Sequence, residues 1–269
     1  METLTSAARG ALERLIDYAG LFPPSQLPMR GAVAEYERAR TSAEHWMLGR
    51  FIVPAARLAE LRDAHAGSPF ELSVIAAPEQ FAIVGAAREA WARIGALEVP
   101  LGTHTPEEVA AAAERAGLRS LPIYVEGTAE FAALAELGLG GKLRCGGLDP
   151  SVYPSPRIVA GFIAAASQAG VPFKATAGLH HPIRHYNEAA GVRMHGFLNL
   201  LAAAAVALEA TPEEIEALVS EESAEAVLAC LRDPAVVAAA RSRFVGYGSC
   251  SFEEPVEDLY DLTLLHAAH

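Results

Sequence analysis

Lysine is nearly absent from this chain. Of its 21 basic residues, 19 are arginine, and the two lysines are Lys142 and Lys174. A guanidinium stays protonated at physiological pH, so side-chain chemistry that needs a neutral amine falls to one of these two residues. Cysteine is also scarce. Cys145, Cys230 and Cys250 are odd in number, widely spaced and form no C-x-x-C, which excludes a zinc ribbon and a disulfide scaffold. Long apolar runs are missing as well. The most apolar stretch, 197–208, covers about 12 residues and contains Asn199, too little to span a bilayer. The N-terminus lacks a basic start followed by an apolar core, so no signal peptide is read and a cytoplasmic location is expected. Basic charge is in deficit, 21 Lys+Arg against 33 Asp+Glu for a net −12. That balance argues against coating nucleic acid or an anionic membrane and leaves a small molecule as the expected partner. A homo-oligomer is the expectation from base rates alone.

What is present is a globular composition, 52% hydrophobic and 20% charged, in which disorder is excluded. Eight β-like runs occur, at 15–21, 50–54, 71–76, 96–101, 121–126, 142–146, 172–178 and 244–249. Most are spaced as βα units, with Ala-rich helical segments between them. Thr105-Pro106-Glu107-Glu108 and Thr211-Pro212-Glu213-Glu214 are helix starts, each with Pro at the first position and Glu three after the capping Thr. The last gap is longer and holds helix candidates at 195–209, 212–218, 224–232 and 234–241. Eight alternating units predict an α/β fold, a (β/α)8 TIM barrel, with an elaborated helical crossover between strands 7 and 8 at about 195–241. No linker divides 1–269, so a single domain is expected. The runner-up, an open doubly wound sheet, is weakened by the lack of G-x-G-x-x-G and of a P-loop.

Side chains alternate across a strand. With Leu143, Cys145, Phe173, Ala175, Ile123, Val125, Leu97 and Val99 facing the helices, the opposite parity turns Asp17, Glu98, Glu126, Lys142, Arg144 and Lys174 toward the axis. Three negative and three positive charges sum to zero, the balance a buried constellation requires. In such barrels the active site lies at the C-terminal ends of the strands.

Three segments taken together resemble deoxyribose-phosphate aldolase and its relatives, the Schiff-base aldolases. Leu15-Ile16-Asp17-Tyr18-Ala19-Gly20-Leu21 is similar to that family's L-I-D-H-T-x-L, Lys142-Leu143-Arg144-Cys145-Gly146 to its K-x-x-x-G, and Lys174-Ala175-Thr176-Ala177-Gly178 to its K-A-S-G-G. The chain resembles more closely a group of bacterial proteins carrying K-x-R-x-G-G, F-K-A-T-A-G-L-H-H-P and M-H-G-F-L-N, a likeness that implies no activity. The aldolase resemblance implies a lyase acting on a small carbonyl compound or oxo-acid, phosphorylated or not, with no cofactor. It implies Lys142 as the Schiff-base residue, Lys174 as the neighbour that lowers its pKa, and Glu98 and Asp17 as proton shuttles. An ordinary lysine is only about 0.04% neutral at pH 7, so such help matters. Arg144 stands where the family has a small hydroxyl residue and is suited to a carboxylate or phosphate.

Substrate contacts are expected from Arg144, Glu126, Gly178, His180, His181, His195 and Ser249. Residues 246–251 could form an anion nest, or a sharp turn with capping serines. The histidines permit another chemistry, a metal-dependent lyase or hydrolase in which His180, His181, His185, His195 and Glu126 supply ligands to a divalent metal. No H-E-x-x-H occurs, and a metal is not the favoured reading. A non-catalytic small-molecule-binding barrel is the third. Cys145 is expected in the core, and Cys250, with no partner base assigned, is read as non-catalytic.

Overall fold

The computed structural model describes residues 6–65 and 67–265. Its sheet is built from β1 (Ile16–Tyr18), β2 (Leu48–Pro54), β3 (Glu71–Ile75), β4 (Arg93–Pro100), β5 (Ile123–Glu126), β6 (Gly140–Arg144) and β7 (Phe173–Thr176). A small antiparallel hairpin follows, β8 (His185–Asn187) with β9 (Val192–Met194), before the last barrel strand, β10 (Phe244–Ser249). The eight long-range strands pair in parallel, and β10 closes on β1, giving a (β/α)8 TIM barrel.

The expected strands are all present. β6 begins two residues earlier than expected, at Gly140-Gly141. Glycine carries no β signal, yet here it is needed: a Cβ at Gly140 would meet the Tyr124 ring and the carbonyl of Pro172. Both Thr-Pro-Glu-Glu starts form reciprocal capping boxes. The Glu108 N–H donates to Thr105 Oγ1 at 3.3 Å and the Thr105 N–H to Glu108 Oε2 at 2.9 Å, with the same pattern at Thr211 and Glu214.

The long crossover contains the helices Phe197–Val206, Pro212–Ser220, Ala224–Ala229 and Pro234–Arg243. The first is buried nearly all round and is the apolar run noted above. No helix of the described residues is long and apolar enough to cross a membrane. The hairpin β8–β9 was not expected. Its three-residue strands lie in a stretch for which no element was expected, and Asn187, Ala189, Ala190 and Met194 from it line the cavity at the barrel mouth.

Outward-facing strand residues pack under the helices as a continuous apolar shell, with Phe173 stacked on Phe244 at 5.3 Å between centroids. The inner face is different. TIM barrels commonly fill their axis with Val, Ile and Leu, whereas Asp17, Ser73, Glu98, Lys142 and Lys174 are all buried here.

Candidate active site

The inward charges form one continuous ladder that climbs from the barrel interior to its mouth. At the bottom, the Lys174 ammonium donates to Asp17 and, at 2.6 Å, to Glu98 Oε1. Glu98 Oε2 lies 2.9 Å from Lys142 Nζ, which in turn lies 2.8 Å from Glu126 Oε2. Glu126 Oε1 faces Arg144 NH1 at 3.5 Å. The order is Asp17, Lys174, Glu98, Lys142, Glu126, Arg144, alternating in sign. Side-chain exposure rises along it, from 1% at Lys174 to 5% at Lys142, 24% at Glu126 and 54% at Arg144.

Strand register produces this geometry. Lys142 is the direct neighbour of Lys174 across β6 and β7, Glu126 is the neighbour of Lys142 across β5 and β6, and Glu98 faces Tyr124 across β4 and β5. Two lysines side by side on adjacent strands repel, and Glu98 resolves the conflict by giving one oxygen to each. Further support comes from Ser73, whose hydroxyl donates to Glu98 Oε1 at 2.6 Å, and from the Tyr124 ring, 5.7 Å from Lys174 Nζ. Asp17 also accepts the Arg50 N–H, and Gly49 is required because a Cβ there would collide with Asp17 Oδ1.

Burial alone would push both lysines toward the neutral amine, but the carboxylates outweigh it. Lys142 is raised above the ordinary lysine value by Glu98 and Glu126, and Lys174 is raised further by Asp17 and Glu98. Burial also opposes the Glu98 carboxylate, and the two ammonium groups overcome it and hold its pKa far below the usual range. The expectation that Lys174 lowers the pKa of Lys142 is therefore corrected. A carboxylate stands between the two, and the resting protein carries both as ammonium ions.

A cavity of about 910 Å³ opens at the C-terminal ends of the strands. Glu98, Lys142, Glu126 and Arg144 line it, along with Gly178, His180 and His181. Ala177 and Gly178 both adopt left-handed backbone, φ 59° and 67°, and turn the chain sharply at the end of β7. Asp17 and Lys174 are not among the lining residues. Asp17, expected as a proton shuttle, instead binds Lys174 within the barrel, so its reach to a ligand runs only through that lysine.

Other expected contacts are placed elsewhere. His195 is 1% exposed and does not line the cavity. Its Nε2 sits 2.8 Å from the Pro154 carbonyl and its Nδ1 faces Arg184 at 3.0 Å, with burial pushing its pKa down to about 4. It anchors the hairpin segment. Asn199 does the same, accepting from the Arg184 N–H and donating to the carbonyls of Leu218 and Glu221. Ser249 is 2% exposed, and its Oγ accepts from the Ser251 N–H, while Ser251 Oγ accepts from the Glu254 N–H. Residues 246–249 are thus part of β10, and 250–251 lead from it into the helix Glu253–Asp261, with the Ser251 hydroxyl accepting from its first turn.

The metal candidates are not gathered. His180 pairs with Glu254 and His181 with Asp258, His185 stacks edge-on against His181, and Glu126 is engaged by Lys142. No group of three or more His, Cys, Asp or Glu side chains among the described residues is placed to hold one ion. Cys145 is fully buried and its pKa is raised by burial. Cys250, in contrast, lines the cavity beside His180.

Two contributors were missed by sequence reasoning. Ser73 carried a signal, a small polar residue between the apolar Leu72 and Val74 of β3. The cavity-lining residues of the hairpin carried none. Comparisons of this chain with protein-family models, with curated proteins and with solved structures find no match.

Proposed function

We propose that the protein is a lysine-dependent lyase that forms or breaks a carbon–carbon bond beside a carbonyl group, with Lys142 as the amine that condenses with the substrate. The observation that carries this reading is the placement of Lys142. It is the one lysine on the cavity wall, it is nearly fully buried, and it touches a carboxylate, Glu126, that also faces the cavity.

Proton transfer from Lys142 to Glu126 across 2.8 Å converts an ion pair into a neutral amine and a carboxylic acid. A ligand that expels water from the cavity favours that exchange, because desolvation penalises both charges. The amine nitrogen then attacks the carbonyl carbon, and a nitrogen proton moves to the former carbonyl oxygen. Glu126 returns its proton to the resulting hydroxyl, water leaves, and an iminium remains on Lys142. The iminium draws the electron pair of the adjacent carbon–carbon bond while Glu126, again a carboxylate, takes the proton of the β-hydroxyl. One carbonyl product departs. Protonation of the enamine at carbon and hydrolysis by water release the other.

Lys174 serves as a positioning residue in this scheme. Bound to Asp17 and Glu98, it keeps Glu98 ionised and thereby fixes Lys142 in place. Arg144 at the rim suits a substrate carboxylate or phosphate, which favours an oxo-acid or a phosphorylated carbonyl compound. The test is cleavage of a panel of β-hydroxy ketones and β-hydroxy oxo-acids, read as carbonyl product. Wild-type turnover that survives chelator and disappears in Lys142→Arg supports the scheme. Turnover retained in Lys142→Arg contradicts it, since a guanidinium cannot form the imine.

A further inference from the structure

We propose that Cys250, His180 and Glu254 form a second reactive centre on the same cavity wall, a thiol–imidazole pair that adds reversibly to an aldehyde carbonyl. Cys250 Sγ lies 3.8 Å from His180 Nε2, and His180 Nδ1 lies 2.8 Å from Glu254 Oε2. All three residues line the cavity. The base comes from the segment after β7, and the nucleophile and the group that orients the base come from the segment after β10 and the start of the helix Glu253–Asp261. That is the arrangement nucleophilic catalysis requires.

The electrostatics agree with the geometry. Burial opposes ionisation of both groups. Even so, His180 is raised to about 9 by its contacts with Cys250 and Glu254, and Cys250 is lowered by His180 and by hydrogen bonding from Ser25. The pair titrates as a unit, and both shifts favour the thiolate–imidazolium form over the thiol–imidazole form. The other two cysteines have no such partner among the described residues. Cys145 is sealed in the core, and Cys230 packs against that core with its thiol donating to the Ala226 carbonyl and its pKa raised by burial.

The step balances without a further reactant. The thiolate sulfur bonds to the aldehyde carbon, the carbonyl π pair moves to oxygen, and the imidazolium Nε2 proton passes to that oxygen. A neutral thiohemiacetal and a neutral imidazole result, and reversal releases the aldehyde. Cys250 follows β10, two strand spacings from β6 in the barrel wall, on the order of 10 Å. The centre does not depend on the role proposed for Lys142, and its test is independent of turnover.

The test is a pH titration of thiolate ultraviolet absorbance, comparing wild type with Cys250→Ser, followed by addition of propanal to the Lys142→Arg variant, in which no lysine imine forms at position 142. The expected result is one thiolate that persists below pH 7 in wild type and is missing from Cys250→Ser. An unassisted thiol, at about pKa 8.5, is only about 3% ionised at pH 7. His180→Gln should remove the low-pH thiolate. Glu254→Gln, a change at a half-exposed side chain that the fold tolerates more readily, should shift its titration. Propanal should bleach the signal reversibly. Matching wild-type and Cys250→Ser titrations below pH 7 would overturn the proposal, and so would a thiolate that propanal leaves unchanged.

Discussion

Lys142 and Lys174 are neighbours in register on adjacent strands, share Glu98, and each touches two carboxylates. They differ in what lies beyond. Lys174 is enclosed by Asp17, Glu98, Ser73 and the Tyr124 ring, with 1% of its side chain exposed. Lys142 has a buried acid on one side and, on the other, an acid open to the cavity. The same residue type therefore takes two roles. At the closed end its charge has nowhere to go and holds the barrel interior together. At the open end Lys142 and Glu126 both line the cavity, and the proposed mechanism has the proton leave along Glu126. The difference is set by how far along the strand each lysine's partners reach toward the mouth.

The largest effect on the fold is expected at the closed end. Lys174→Met leaves Asp17 a buried carboxylate without its cation and Glu98 with one ammonium in place of two, which costs about 3–5 kcal/mol. Denaturant unfolding should show it as a drop in midpoint, with an equal loss in Lys142→Met counting against the contrast. Lys142→Met should cost less, about 1.5–3 kcal/mol, the range for hydrogen bonds to charged groups, while removing turnover.

Glu126→Gln separates chemistry from structure at the open end. It removes the proton acceptor and should slow turnover by about 10²–10⁴-fold, with unfolding nearly unchanged because the residue is partly solvated. A variant that loses stability but keeps its rate would place the proton transfer elsewhere. A pH series sharpens the closed end instead. Glu98 has a folded pKa far below its unfolded value of about 4.3. Its contribution to stability is fully present above that unfolded value and is lost as pH falls toward the folded one. Wild type should thus lose stability steeply below about pH 4, and Glu98→Gln should show a flatter acid limb in the same unfolding experiment. The smallest effect is expected at the rim. Arg144→Ala breaks a 3.5 Å contact of a side chain that is 54% exposed, worth less than about 1 kcal/mol. It should act on KM for carboxylated or phosphorylated substrates and leave kcat close to wild type.

The barrel was legible because alternation does two things at once. Leu143, Phe173, Ala175, Ile123 and Val125 mark one face as apolar, and the same parity assigns Lys142, Lys174 and Glu126 to the other. Parity cannot report height along the axis. It grouped Asp17 with Glu126 as equals, although one ties down a buried lysine and the other faces the cavity. Sign arithmetic had the same limit. Two cations side by side suggested mutual depression of pKa, but Glu98, which parity placed on the correct face, lies between them. His195 was misplaced because closeness in sequence to His180 and His181 was taken for closeness in space, whereas the hairpin carries it away to Pro154 and Arg184. The pairing of Cys250 with His180 was not read, because those residues lie 70 positions apart and meet through the direct pairing of β10 with β7, across the long helical crossover.

The most direct measurement is borohydride trapping with lysine mapping. The protein is incubated with small ketones, aldehydes and oxo-acids, reduced, digested and examined by mass spectrometry. The expected result is a reduced adduct on Lys142, none on Lys174, and none at either position in Lys142→Arg. An adduct on Lys174 would reverse the roles of the two ends of the ladder. Cleavage activity on the panel with no adduct at Lys142 would contradict the lysine-dependent mechanism itself.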